Sequence, residues 1–174
     1  MTLPAGTSEH RAAAAQQSAV QIAIVIVSDK RTKETDESGP LARALLTAAG
    51  HTIVDFVLLP NDEPRTRAHV AQLIAREDVD VVLLSGGTGL SVRDRTVEAV
   101  RPLLEKELPG FGELFRMISY QEQIGTSSIL TRALAGGING KLIVSLPGSK
   151  AAVDLALTKI LIPELQHLMH ELRR

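Results

Sequence analysis

Residues 79–94 read VDVVLLSGGTGLSVRD. The first six are a short apolar run rich in valine, the composition of a strand buried on both faces. The remainder places Gly86, Gly87 and Gly89, with hydroxyl side chains and an Arg-Asp pair, directly behind that strand. Glycine there lets the backbone take positive φ and present its N–H groups with no Cβ in the way, which is how a loop is built to hold a phosphate. The alternative is an ordinary tight turn, since the glycine spacing matches neither GxxxxGK[ST] nor GxGxxG. Arg93 suits a phosphate, and Asp94 suits either Mg²⁺ or the cap of a following helix.

Working outward, IAIVIVS at 22–28 is a run of the same kind and ends in Ser28-Asp29-Lys30. TIVDFVLL at 52–59 and KLIVSLPGS at 141–149 supply two more strands, the last closed by a Pro-Gly turn. Helical patterns fill the intervals. One spans 35–50, capped by Ser38 or Gly39, with Pro40 in its first turn and Leu41, Leu45 and Ala48 on its inner face. A second spans 61–75, with Pro64 in its first turn and Val70, Leu73 and Ile74 inward. Others run from Thr96 to Pro102, over 109–121, and from the Ser149 cap to the end, where Pro163 is expected to bend the chain. This alternation predicts an α/β fold, a three-layer α/β/α arrangement on a mostly parallel sheet. Ligands of such sheets sit at the carboxyl ends of the strands, where the loops 28–39, 85–94 and 147–149 all fall.

Residues 1–20, rich in Ala, Ser and Gln, read as a flexible tail with neither a signal-peptide core nor a membrane span, and 21–174 as one domain. The chain has no cysteine, which excludes disulfides, a thiolate nucleophile and cysteine-held metals, and fits a reducing cytoplasm. A net charge of −1 without like-charge blocks points away from nucleic acid and membrane surfaces and toward a small ligand. The five histidines show no metal-ligand spacing apart from the terminal pair His167 and His170, which reads as solvated helix surface. Asn61-Asp62-Glu63, just before Pro64, is either a helix cap or the source of a second metal-binding carboxylate.

Taken together and in order, SGGTG, RDRTVEA, PGFGELFR, IGTSS, TRALAG and SLPGS resemble the molybdenum cofactor biosynthesis protein B family, over roughly residues 21–170. The resemblance implies a molybdopterin-binding α/β fold in which Ser85, Gly86, Gly87, Thr88 and Gly89 receive the pterin phosphate. Related adenylyltransferases join that phosphate to AMP from Mg-ATP and release pyrophosphate. The likeness assigns ligand binding to Ser28, Asp29, Asp36, Ser38, Gly39, Arg93, Thr131, Arg132, Pro147, Gly148 and Ser149, and a metal to Asp94. In those enzymes the second strand is followed by Pro-Asp-Glu or Pro-Asp-Asp, whose first acid is catalytic. Here the residues are Pro60-Asn61-Asp62-Glu63, so the catalytic position holds an amide unless Asp62 takes over after a one-residue shift.

The expectation is therefore a Mg²⁺-dependent molybdopterin adenylyltransferase using Asp62 and Asp94, with ATP as co-substrate; the alternative is a non-catalytic pterin-binding protein. A phosphomonoester has its second pKa near ~6 and is ionised at neutral pH, so the attack needs no general base. Relatives form trimers or dimers of trimers. Phe111, Phe115 and Tyr120, with Leu114, Arg116, Met117 and Ile118, have an interface-like composition, so residues 111–121 are expected to be partly buried between subunits. Against that stands the reading that they complete the domain's own core.

Overall fold

The computed structural model describes residues 19–174; the first eighteen residues of the expected tail lie outside them. Val20 already belongs to the core at 3% exposure, and its carbonyl accepts from Thr52 N–H at 3.0 Å. In chain order the elements are β1 (Gln21–Val27), α1 (Ser38–Ala48), β2 (Thr52–Leu59), α2 (Glu63–Ala75), β3 (Val81–Ser85) and α3 (Thr96–Val100). Then follow β4 (Lys106–Glu107), α4 (Pro109–Ser119), β5 (Leu134–Ile138), β6 (Lys141–Leu146), α5 (Lys150–Leu155) and α6 (Ile162–Arg173).

The strands form one sheet in the order β2-β1-β3-β6-β5-β4. The pairs β1/β2, β1/β3 and β3/β6 are parallel, whereas β5 runs antiparallel to both β6 and β4. Alternate residues of β1 feed opposite faces. Ile22, Ile24 and Ile26 pack with α1, α4 and the closing helices; Ala23, Val25 and Val27 pack with α2 and α3. That two-sided burial is why β1 and β3 read as unbroken apolar runs, with each isoleucine contributing about 1.5–3 kcal/mol.

Three details differ from expectation. The inner face of α1 is Ala42 and Leu46; Leu41 and Leu45 flank it half-buried and Ala48 is exposed. The helix is capped by neither Ser38 nor Gly39: the Asp36 carboxylate accepts from Ser38 N–H and Gly39 N–H, both at 3.1 Å. The antiparallel strand β5 (LAGGI) was not expected. Its glycines weaken the strand signal but serve packing, because a Cβ on Gly136 would meet the Lys106 carbonyl at 2.6 Å. Ahead of Pro163 the closing helix passes through a wide π turn, Ala156–Leu161, which accommodates the missing proline N–H without breaking the helix.

The β1-to-β2 connection goes one way along the sheet and the β2-to-β3 connection returns past β1. The switch point therefore lies between β1 and β3, and the loops after β1, β3 and β6 stand side by side. No helix among the described residues is long and apolar enough to cross a membrane.

Candidate functional site

At that switch point opens a cleft of about 540 Å³. Its floor is the loop after β3. Gly86 and Gly87 take φ of 110° and 65°, a conformation that residues with a Cβ rarely adopt. Space also demands glycine: a Cβ on Gly86 would run into the Val27 carbonyl, and one on Gly87 into the Thr96 hydroxyl and Asn61 Oδ1. Gly86 N–H donates to Leu146 O at 2.9 Å and Gly87 O accepts from Thr96 N–H at 2.9 Å, so the loop is fixed at both ends.

Arg132 holds the loop from behind. Its Nε donates to Thr88 O and one Nη to Asp94 O, both at 3.0 Å, while the guanidinium grips Glu98 at 2.5 Å. The Arg132 hydrogen bond keeps the Glu98 carboxyl below its ordinary range. Arg132 is thereby committed to the protein and is absent from the cleft lining, contrary to its expected place on the ligand.

The β1 side supplies charge. Ser28 Oγ accepts from Lys30 N–H at 3.2 Å and Arg31 N–H at 3.1 Å, shaping a turn that puts both cations on the cleft wall. Arg31 ties the loop after β1 to the loop after β6, donating to Gly148 O at 2.6 Å and, within its own loop, to Ser38 Oγ at 2.9 Å beside Asp36 at 3.6 Å. The Lys30 ammonium pairs with no carboxylate among the described residues. The rest of the lining is apolar and hydroxylic, with Phe115, Ile124, Leu130, Ala151 and Ala152 alongside Ser119, Ser127 and Thr131.

Of the expected ligand residues, Ser28, Gly86, Gly87, Thr88, Gly89, Asp94, Thr131, Pro147, Gly148 and Ser149 line the cleft. Ser149 also caps α5, accepting from Ala152 N–H at 3.2 Å. Asp36, Ser38 and Gly39 are buried in the α1 cap, and Ser85 is buried with its hydroxyl toward Pro147 O. Asp29 and Arg93 pair with each other at the rim, 3.5 Å apart. Asp94 does not cap α3; its Oδ2 accepts from Ser91 N–H at 3.1 Å within the loop. Asp62 caps α2, accepting from Arg65 N–H at 2.8 Å, and stands outside the cleft lining; the residue of that turn in the cleft is Asn61. Lys30, Arg31 and Gln123 are cleft residues that sequence reading passed over. Only the basic pair after Ser28-Asp29 signalled the first two.

Among the described residues no three His, Asp or Glu side chains converge as a cation site. The cleft nevertheless offers the Asp94 carboxylate and the buried, unpartnered Asn61 Oδ1. That sparse oxygen set fits Mg²⁺, which keeps several waters and takes one or two protein ligands plus substrate phosphates.

The family described as "Probable molybdopterin binding domain" matches residues 23–167. Molybdenum cofactor biosynthesis protein B of Bacillus anthracis is 50% identical over 167 residues, covering 96% of this chain and 98% of its own. A crystal structure of a molybdenum cofactor biosynthesis protein B superposes with TM-score 0.87 at 50% identity, covering 90% of this chain and 98% of the other. The tungsten cofactor synthesizing protein MoaB from Pyrococcus furiosus gives TM-score 0.83 at 36% identity, over 91% and 99% of the two chains. With the glycine loop at the switch point, the fold and half of the sequence held in common, this chain belongs to the molybdopterin-binding family of molybdenum and tungsten cofactor biosynthesis, among its protein B members.

Proposed function

We propose that the cleft binds molybdopterin through its terminal phosphate and joins that phosphate to AMP from Mg-ATP. The observation that carries this reading is a cleft lined both by the loop of positive-φ glycines and by Lys30, which pairs with no carboxylate among the described residues: the N–H groups of Gly87, Thr88 and Gly89 and a cation share a pocket with apolar side chains. An anion suits the first and a flat heterocycle the second. In the reaction an ionised phosphate oxygen attacks the α-phosphorus of ATP, a P–O–P bond forms, and pyrophosphate departs with the electron pair of the α–β bridge. Mg²⁺ would neutralise charge on the phosphates. Asp94 and Asn61 Oδ1 would hold it, Lys30 and the N–H groups of Gly87, Thr88 and Gly89 would orient the attacking phosphate, and Asp62 would serve as the cap of α2. Pyrophosphate release that requires both ATP and molybdopterin tests this directly.

A second reading, binding without transfer, is favoured by one observation: the cleft position of the β2 turn carries the neutral amide of Asn61. Calorimetric uptake of molybdopterin with no pyrophosphate released would select it.

Self-association is part of the proposal. Leu114, Met117 and Tyr120 are exposed along α4 and the turn that follows it, apolar surface suited to a second copy in a trimer or a dimer of trimers. Phe111 and Phe115, expected in such an interface, are instead buried in the chain's own core at 4% and 1% exposure.

A further inference from the structure

Asp29 and Arg93 are charged residues of the cleft rim that the chemistry above does not use. Asp29 follows β1, and its Oδ1 accepts from Asn61 N–H at 2.9 Å, bridging to the turn after β2. Its Oδ2 faces Arg93 Nη1 at 3.5 Å, bridging to the loop after β3.

The two halves of this bridge differ in strength. Asn61 N–H to Asp29 has the length of a good charge-assisted hydrogen bond. Arg93 is 77% exposed and its ion pair is long, the kind of contact that contributes little in water. Arg93 is therefore the mobile partner and Asp29 the fixed one. The same Asn61 that anchors Asp29 reaches the glycine loop, where its Oδ1 would lie 2.6 Å from a Cβ on Gly87. One residue thus separates the carboxylate holding Arg93 from the place where a ligand phosphate would sit. Both are anions, and a guanidinium binds a phosphate in a bidentate fork more strongly than a single oxygen at 3.5 Å.

The geometry points to Asp29 as an internal stand-in for the ligand's phosphate: it parks Arg93 at the rim while the cleft is empty, and an entering phosphate monoester takes Arg93 from it. The device rests on the phosphate-binding reading of the glycine loop. Asp29 is a positioning residue here and touches no ligand.

The test is a double-mutant cycle read by amide-resonance titration with inorganic phosphate. Asp29→Asn retains an oxygen for Asn61 N–H but releases Arg93, and phosphate affinity is expected to rise about two- to fivefold, the worth of an exposed ion pair. Arg93→Gln is expected to weaken binding, and Asp29→Asn added to Arg93→Gln to give no further gain. An equal gain in both backgrounds would mean that Asp29 acts only as a repelling charge, and the exchange would be overturned. No gain in either background overturns it as well. Repeating the cycle with molybdopterin separates the two ideas. Coupling seen with phosphate but no uptake of molybdopterin leaves the exchange standing and removes the pterin reading; uptake of molybdopterin without coupling does the reverse.

Discussion

The side-chain amide oxygen Oδ1 of Asn61 stands over Gly87 so closely that a Cβ on the glycine would lie 2.6 Å from it, with the Thr96 hydroxyl crowding the same point. Gly87→Val must therefore leave its φ of 65° or push both neighbours aside. The expected cost is about 2–3 kcal/mol of stability, from strain in the left-handed region and displacement of the Asn61 turn. Phosphate uptake should vanish in whatever folded fraction remains. Thermal melts and a phosphate titration check both; a folded variant with unchanged affinity would reduce the loop to an ordinary turn.

Asn61 and Asp62 have separable roles. Asp62→Ala removes the α2 cap and should cost about 1 kcal/mol while leaving ligand affinity unchanged, because Asp62 stands outside the cleft. Asn61→Asp places a second carboxylate in the lining and should increase Mg²⁺-dependent pyrophosphate release. Asp94→Asn should lower it on the order of 10²-fold or more through misplaced phosphates. If Asp62→Ala abolished turnover at unchanged stability, the one-residue shift of the turn would be real and Asp62 would be the metal ligand.

The sheet was readable from sequence because β1 and β3 are buried on both faces, and a run such as IAIVIV has few other uses. β5 escaped because LAGGI is short and glycine-rich, its glycines serving close approach to β4 and α6 and not strand propensity. In the site, Gly86 to Gly89 announced themselves through spacing after a strand. Asp36, Ser38 and Arg132 did not announce that their polar groups are used up within the protein. A polar residue in a motif looks the same in sequence whether it faces a ligand or a neighbouring carbonyl. Only the hydrogen-bond partners of Arg132, namely Thr88 O, Asp94 O and Glu98, distinguish the two.

The Arg132 clamp should matter to a ligand it never touches. Arg132→Met strips partners from Thr88 O, Asp94 O and the Glu98 carboxylate, and is expected to cost about 1–3 kcal/mol and to weaken phosphate binding as the loop loosens. Arg132→Lys restores the charge but not the fork, so little of either loss should return. Full recovery by lysine would show that only charge matters there.

His51 gives a pH signature remote from the cleft. It is 7% exposed, its Nδ1 accepts from Val20 N–H at 3.4 Å, and burial pushes its pKa below the ordinary value. The unfolded chain therefore takes up a proton first, at about 6.5. Its contribution to stability is complete above that pH, falls as pH drops toward the depressed native value, and is constant below it. The difference in urea stability between wild type and His51→Asn should vary across that window by at most about 1.4 kcal/mol per pH unit. A pH-independent difference would mean that His51 titrates alike in both states.

Assembly turns on which residues of α4 face outward. Phe111 and Phe115 stack on each other at 6.4 Å inside the core, so Phe115→Asp should unfold the chain and report nothing about subunits. Met117, on the same helix, is 51% exposed, and Leu114 and Tyr120 near it in sequence form a strip of exposed apolar side chains with it. A strip of that kind left in water favours association, and the natural occupant is the same strip on another copy. Wild-type protein should scatter light as a trimer or a dimer of trimers. Met117→Asp, which buries a charge only if the strip is covered, should yield smaller folded species, down to the 18.7 kDa chain. A monomeric wild type would remove the assembly reading. A Met117→Asp variant that kept the wild-type mass would move the interface elsewhere, for instance to the exposed edge beside β2 where Arg43 lies over the Phe56 ring.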